Sequence, residues 1–394
     1  MDLAHLIPSY QPLPFPLPVW LMQTLLVLGF YLHALPMNVV LGGGFISTAL
    51  FAIGRSDQSS YAYRAAKALA VSLPLFISFA ITQGIVPLLF LQLIYGPAFY
   101  TSSIIMAVPW ISLLLVIMIS YYLSYIVLYR TLRGQEGEKS AAKASLLLLL
   151  MSIGFSFVAY LFSNNMTLML HPEKWLAMYE HSAKGMNLNS SEVTLIPRYL
   201  HFFVSSFAVA GMTLGLFGLY MSKKDSKFSE WMIKIGSRIF MAATVIQIPV
   251  GLWFLKAIPA EFAGNFLGSD QIATAVFGLS MALTLLSICT STIAAGSGNR
   301  KAFIATVITN ALLILSMIVN RHQLRLFHLN PHVKPELVAV STQWDLLAVF
   351  LVSTVALIWY LVWLSALVLK SYQKPIAEYA TNSSVATIGE VSHG

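Results

Sequence analysis

The residues with the most chemistry to offer are nine histidines, at positions 5, 33, 171, 181, 201, 322, 328, 332 and 393. His33 and His201 fall inside long apolar runs, where an ionisable side chain is expensive and marks function by default. A neutral imidazole in that setting hydrogen-bonds between helices, coordinates a haem iron or carries a proton. The first role is the plain one, and the residues alone leave all three open. Arg198 precedes His201 by three residues, which places both on one helix face. From there a guanidinium either pairs with an anion such as a haem propionate or snorkels to water. Lys256, Arg321 and Arg325 are further cations toward the same side, suited to carboxylates or to an acidic partner, and otherwise ordinary loop charges. Of sixteen methionines, Met241 and Met281 lie within apolar runs. Packing is the first reading of each and axial ligation the second. Gln83, Gln92, Asn164, Asn165, Gln247 and Asn310 supply polar groups for interhelical hydrogen bonds.

Several chemistries are excluded. No Asp or Glu lies deep in any apolar run, so the buried carboxylate usual in a proton-driven transporter is missing. There is no His-Glu-x-x-His array, and no phosphate-cradling glycine loop or nucleophile elbow stands in a supporting context. The single cysteine, Cys289, rules out a disulfide framework within the chain, and covalent haem c has no Cys-x-x-Cys-His to attach to.

The elements that must position these side chains are membrane helices. Of 394 residues 58% are hydrophobic and only 10% charged, with a mean hydropathy of +0.76. A soluble domain carries about 25% charged residues. This is therefore an all-α integral membrane protein, not a soluble enzyme, a disordered scaffold or a reader of nucleic acid. Nine runs reach the roughly 20 residues needed to span a bilayer: 19–52, 69–95, 104–130, 145–170, 197–221, 235–257, 271–295, 302–320 and 343–370. Residues 1–18 form a Pro-rich outer segment, extended through five prolines from Pro8 to Pro18, and 19–370 form the membrane domain. Residues 371–394 form an inner-side tail, expected to be disordered from Ala377 onward. Lys and Arg divide 16 to 7 between the two sets of loops, which puts the N-terminus outside and the C-terminus inside. The longest outer loops are then 171–196 and 321–342. His171, His181, His322, His328 and His332 also face the outer side. Gly42, Gly43 and Gly44 are expected to allow close helix packing or the close approach of a macrocycle, with packing the plainer reading. No internal repeat and no removable signal peptide are visible.

The residues resemble subunit I of the cytochrome bd quinol oxidases, over the whole helical core and in helix count and orientation. Tyr31-Leu-His33-Ala-Leu-Pro-Met-Asn-Val-Val-Leu-Gly42 looks like that family's first helix, whose histidine lies in its high-spin haem region. Arg198-Tyr-Leu-His201, followed by Ala210-Gly-Met and a basic loop, is similar to the segment that carries the histidine ligand of its low-spin haem b. Thr82-Gln-Gly84-Ile through Tyr95-Gly96, and Ser163-Asn-Asn165, are also similar. Met281, in Gly278-Leu-Ser-Met281, stands where the family has its methionine ligand, without the flanking arginine.

Other departures alter what the resemblance implies. The family's long quinol-binding loop between helices six and seven is replaced by a link of only 258–270. Its glutamate and Gly-Arg-Gln-Pro-Trp stretch are replaced by Val319-Asn-Arg321-His322-Gln-Leu-Arg325, which makes His322 a substitute haem ligand. Its carboxylates in helices two and three are gone, with Leu88 near the first position. The resemblance thus implies a haem-b electron-transfer subunit with one to three haems. His33, His201, Met281 and His322 would be iron ligands, and Arg198, Arg321 and Arg325 propionate partners. A c-type cytochrome on the outer side and a second membrane subunit would be its partners in a bacterial inner membrane. The alternatives are a divergent quinol-oxidising or oxygen-reducing subunit, with quinone held by Gln83, Gln247 or His171, and a haem-free transporter or scaffold.

Overall fold

Each apolar run folds as one helix, because a backbone in lipid must satisfy its own hydrogen bonds. The structure is a computed structural model that describes residues 13–371. The helices are α1 (Val19–Gly54), α2 (Tyr61–Ile105), α3 (Ala107–Leu132), α4 (Glu138–Leu168), α5 (Trp175–His181), α6 (Leu195–Met221), α7 (Ser226–Ala257), α8 (Ala260–Gly264), α9 (Gln271–Ser297), α10 (Arg300–Leu329) and α11 (Trp344–Ser371). Among the described residues, nine of them are long and apolar enough to cross a bilayer, and α5 and α8 are not. This is a multi-pass membrane protein, as its composition requires. His5, His393, the proline run before Leu13 and the tail beyond Ser371 lie outside the described residues. The chain divides into two compact units at Ser341. The first holds α1 to α10; the described part of the second is α11, a single apolar helix.

Sequence-local signals set the helix ends. Ser60, Asp225, Asp270 and Asn299 cap α2, α7, α9 and α10, their side chains accepting from the backbone N–H of Tyr63, Phe228, Ala273 and Ala302. Gly298, at φ 70°, closes α9 in the left-handed conformation that glycine tolerates best. Several boundaries differ from expectation: α2, α4 and α7 start earlier than 69, 145 and 235, at Tyr61, Glu138 and Ser226, and two ends run on. The second span does not stop at residue 95. Tyr95 (φ −120°, ψ 28°) is a kink, and helix resumes through Pro97 to Ile105. Proline breaks a ladder from within but is welcome at the start of a helical stretch, so one chain of turns carries both pieces. The eighth span does not stop at residue 320 either, and α10 runs on to Leu329. Arg321, His322, Arg325 and His328, expected on an outer loop, are therefore helical residues, with Arg325 and His328 buried.

Packing brings the helices to within backbone contact. α1 lies against α2, α4 and α6, and α6 against α7. Gly42 meets the backbone of Ser206 in α6, where an added Cβ would fall 2.8 Å from Phe207 N. Gly44 sits on Ser152 of α4, and Gly43 on Leu69 and Leu73 of α2. The glycine run is thus the packing surface it was expected to be. On the other side of the bundle, Leu114, Leu115 and Met118 of α3 are more than 60% exposed, as lipid-facing residues are in a bilayer.

Candidate functional site

His33 projects from α1 onto α2. Its Nδ1 lies 2.7 Å from the Ala80 carbonyl oxygen. A carbonyl only accepts, so Nδ1 carries the hydrogen and Nε2 keeps its lone pair, the tautomer a metal ligand needs. The ring rests on Gly84, where a Cβ would stand 2.8 Å from Nδ1. His201 projects from α6 toward α7. Its ring lies against Gly251, where a Cβ would be 3.4 Å from Cε1. Its Nδ1 is buried and unpartnered among the described residues. Gln247 Nε2 donates to the His201 backbone carbonyl at 2.7 Å, so that amide fixes the helix and not the ring.

Three arginines converge nearby. Arg198 of α6 and Arg321 and Arg325 of α10 line one cavity together with Met166, Met169 and Leu170. Arg198 and Arg325 are only 8% and 6% exposed. Among the described residues none of the three makes an ion pair, and Arg198 Nε has no hydrogen-bond partner. Aromatic faces hold them instead. Arg321 Cζ lies 4.2 Å from the Phe30 ring centroid, Arg198 Cζ 5.4 Å from Phe254, and Arg325 Cζ 5.9 Å from Tyr95. Cation–π contact is worth about 0.5–2 kcal/mol, whereas an unpaired buried ion costs several. The group is therefore under-compensated and suited to anions.

The remaining expected site residues fall less centrally. His322 lies beside the cluster, with Arg325 Nη1 3.5 Å from its Nδ1. Arginine has only donors, so in that contact Nδ1 accepts and Nε2 carries the hydrogen, which leaves neither ring nitrogen with a free lone pair for a metal. Met281 is 40% exposed on α9, a helix that packs against α7 and α10. It is not among the residues gathered at the arginine cavity. Met241 accepts from Thr292 Oγ1 at 3.4 Å, and Lys256 is exposed at the end of α7.

Sequence reasoning named Tyr95 and His328 without giving them a place in the site, and missed Glu192. Tyr95 is fully buried at the α2 kink, under Arg325. His328 is buried, with Nδ1 2.8 Å from the Leu324 carbonyl and its ring 5.7 Å from that of His171. It continues the 321–325–328 face of α10, a spacing that was legible once the helix was extended. Glu192 is 5% exposed in the loop before α6. It accepts from Lys174 and from Thr194 Oγ1 at 3.1 Å, and its Oε2 stands 3.6 Å from His171 Nε2. Burial by itself would raise its pKa, but the Lys174 ammonium, His171 and the Thr194 N–H outweigh that and hold it below the ordinary glutamate value.

No family model matches the chain, and no curated protein matches it. Solved structures do. One is the structure of bd oxidase from Geobacillus thermodenitrificans, at a TM-score of 0.66 and 12% identity, covering 92% of this chain and 99% of that one. The likeness lies in the fold and not in the residues, and the fold is the cytochrome bd subunit I-like bundle that the sequence resemblance implied.

Proposed function

We propose that the chain is a haem-binding electron-transfer subunit of a bd-like respiratory membrane complex. The observation that carries this reading is the pairing of two half-buried histidines, His33 and His201, with three arginines, Arg198 and Arg325 buried and Arg321 half-buried, that have no carboxylate partner among the described residues. His33 is held in the ligand tautomer by Ala80. His201 offers an unpartnered Nδ1 over Gly251. Arg198, Arg321 and Arg325 would take carboxylates, each in a dry setting where a charge-assisted hydrogen bond is strong. Bound haem b would supply one-electron iron chemistry. The chain's own residues would orient it, exclude water through the aromatic faces of Phe30, Phe254 and Tyr95, and set its potential through local charge.

The proposal extends to partners. The link between α7 and α9 holds only the short α8 and a π-turn at Asn265–Ser269, which leaves no room for a quinol-binding domain. Electrons would then exchange on the outer side with a c-type cytochrome. A second membrane subunit would complete the complex in a bacterial inner membrane. The test is a dithionite-reduced minus oxidised spectrum of the gently purified, haem-replete protein, with a pyridine haemochrome assay on the isolated chain. Haem b bands are expected, and a folded but colourless chain would refute the reading.

A further inference from the structure

At the basic-loop end of the bundle, α1 to α4 enclose a pocket unrelated to the histidines. Its rim carries Lys67 of α2, Arg130 and Thr131 of α3 and Ser140 of α4, and its floor is Phe51 and Ala144. Arg130 Nε is buried and has no partner among the described residues. Its Nη2 reaches only Ser140 Oγ, at a long 3.4 Å. The first turn of α4, a helix of 31 residues, has no side-chain cap, and its one acid, Glu138, is exposed and turned to Arg55 at 3.5 Å, so the free N–H groups add positive potential at the pocket. The acid at the rim is Glu136, 3.0 Å from Lys67 Nζ. It sits between Gly134 and Gly137, both at positive φ, and its side chain is 50% exposed. An ion pair so exposed is weak, and the loop can release it at little cost.

We propose that this pocket binds a phosphate-bearing anion, the headgroup of an anionic phospholipid, with Glu136 as the residue it displaces. The cations and the α4 amides take the phosphate, and the apolar floor takes the first carbons of the lipid. Basic pockets between helix ends are suited to such headgroups, and each cation contributes about five-fold in affinity. Glu136 gives the proposal a sign that a packing role would not have, because removing it should strengthen binding.

The experiment is titration of the detergent-purified full chain with phosphatidylglycerol, phosphatidylcholine and inorganic phosphate, read by native mass spectrometry and by the thermal midpoint. Phosphatidylglycerol should be retained over phosphatidylcholine. Retention should fall about five-fold in Lys67→Gln and rise in Glu136→Gln, which leaves the Arg130 packing untouched. If inorganic phosphate reproduces the midpoint shift and the same variant pattern, the anion site stands and its natural occupant is soluble phosphate. Equal retention of both lipids, with both variants unchanged, would overturn the proposal. This readout is of lipid and phosphate, so it stands or falls apart from haem binding.

Discussion

Arg198 offers a perturbation whose sign depends on what fills the site. The side chain is 8% exposed, its Nε has no partner among the described residues, and its main compensation is the Phe254 ring at 5.4 Å. An effective penalty of several kcal/mol for a buried cation exceeds a cation–π return of about 0.5–2 kcal/mol. Arg198→Met keeps most of the volume and removes the charge. In the haem-free protein it should therefore stabilise, by about 1–3 kcal/mol, which is a rise of a few degrees in midpoint. With haem bound, the same change removes a charge-assisted hydrogen bond worth about 1.5–3 kcal/mol, so haem should be retained roughly 10- to 150-fold less tightly. Arg198→Lys, which keeps the charge but loses the fork, should fall between. The assay is the thermal midpoint of both forms, alongside the haem-to-chain ratio and the rate of haem transfer to an acceptor apoprotein. If Arg198→Met lowers both midpoints equally and leaves haem retention unchanged, the arginine is a packing residue and the anion argument fails.

The other expectations are as follows. His201→Ala should abolish a low-spin haem b signal while the protein still inserts, and His322→Ala should leave more haem than either His33→Ala or His201→Ala, because Arg325 faces its Nδ1. An intact spectrum in His201→Ala would sink the ligand assignment, and loss on His322→Ala as complete as on His33→Ala would restore His322 as a ligand. Gly84→Ala places a Cβ 2.8 Å from His33 Nδ1, so the ring must leave the Ala80 carbonyl. We expect a loss of about 1–3 kcal/mol and a changed His33-dependent spectrum; an alanine variant identical to wild type in both would show that the ring is free to move. Glu192 has a lowered folded-state pKa, so its contribution to stability is present above the ordinary glutamate value and is lost as pH falls through the lower folded value. Proteolysis of the 171–194 loop should accelerate in that acid window in the wild type but not further in Glu192→Gln, which should be loose at neutral pH already. A flat profile in both proteins would contradict the assignment.

Much of the molecule was legible in its residues because lipid leaves so few choices. An apolar run of spanning length has to become a helix, and the runs did so, with ends at Ser60, Asp225, Asp270 and Asn299 where capping side chains stand. His33, His201 and Arg198 could also be singled out as candidates from the residues, since an ionisable group inside such a run has no solvent to justify it. The role of the Gly42–Gly44 run followed from size alone.

Hydropathy does not register which side of a helix turns inward once the apolar run has ended. The charges at 321 and 325 ended the eighth run in the sequence, yet α10 continues, because a helix that stacks Arg321, Arg325 and His328 on one face can bury them against aromatic rings from α1, α2 and α8. Only the tertiary structure brings Arg198 of α6 to the same cavity as those residues of α10, and only it leaves Met281 at an exposed position. Periodicity along one chain determines each helix and its polar face. Which faces meet is set by packing between elements far apart in sequence, and the histidine and arginine chemistry depends on that meeting.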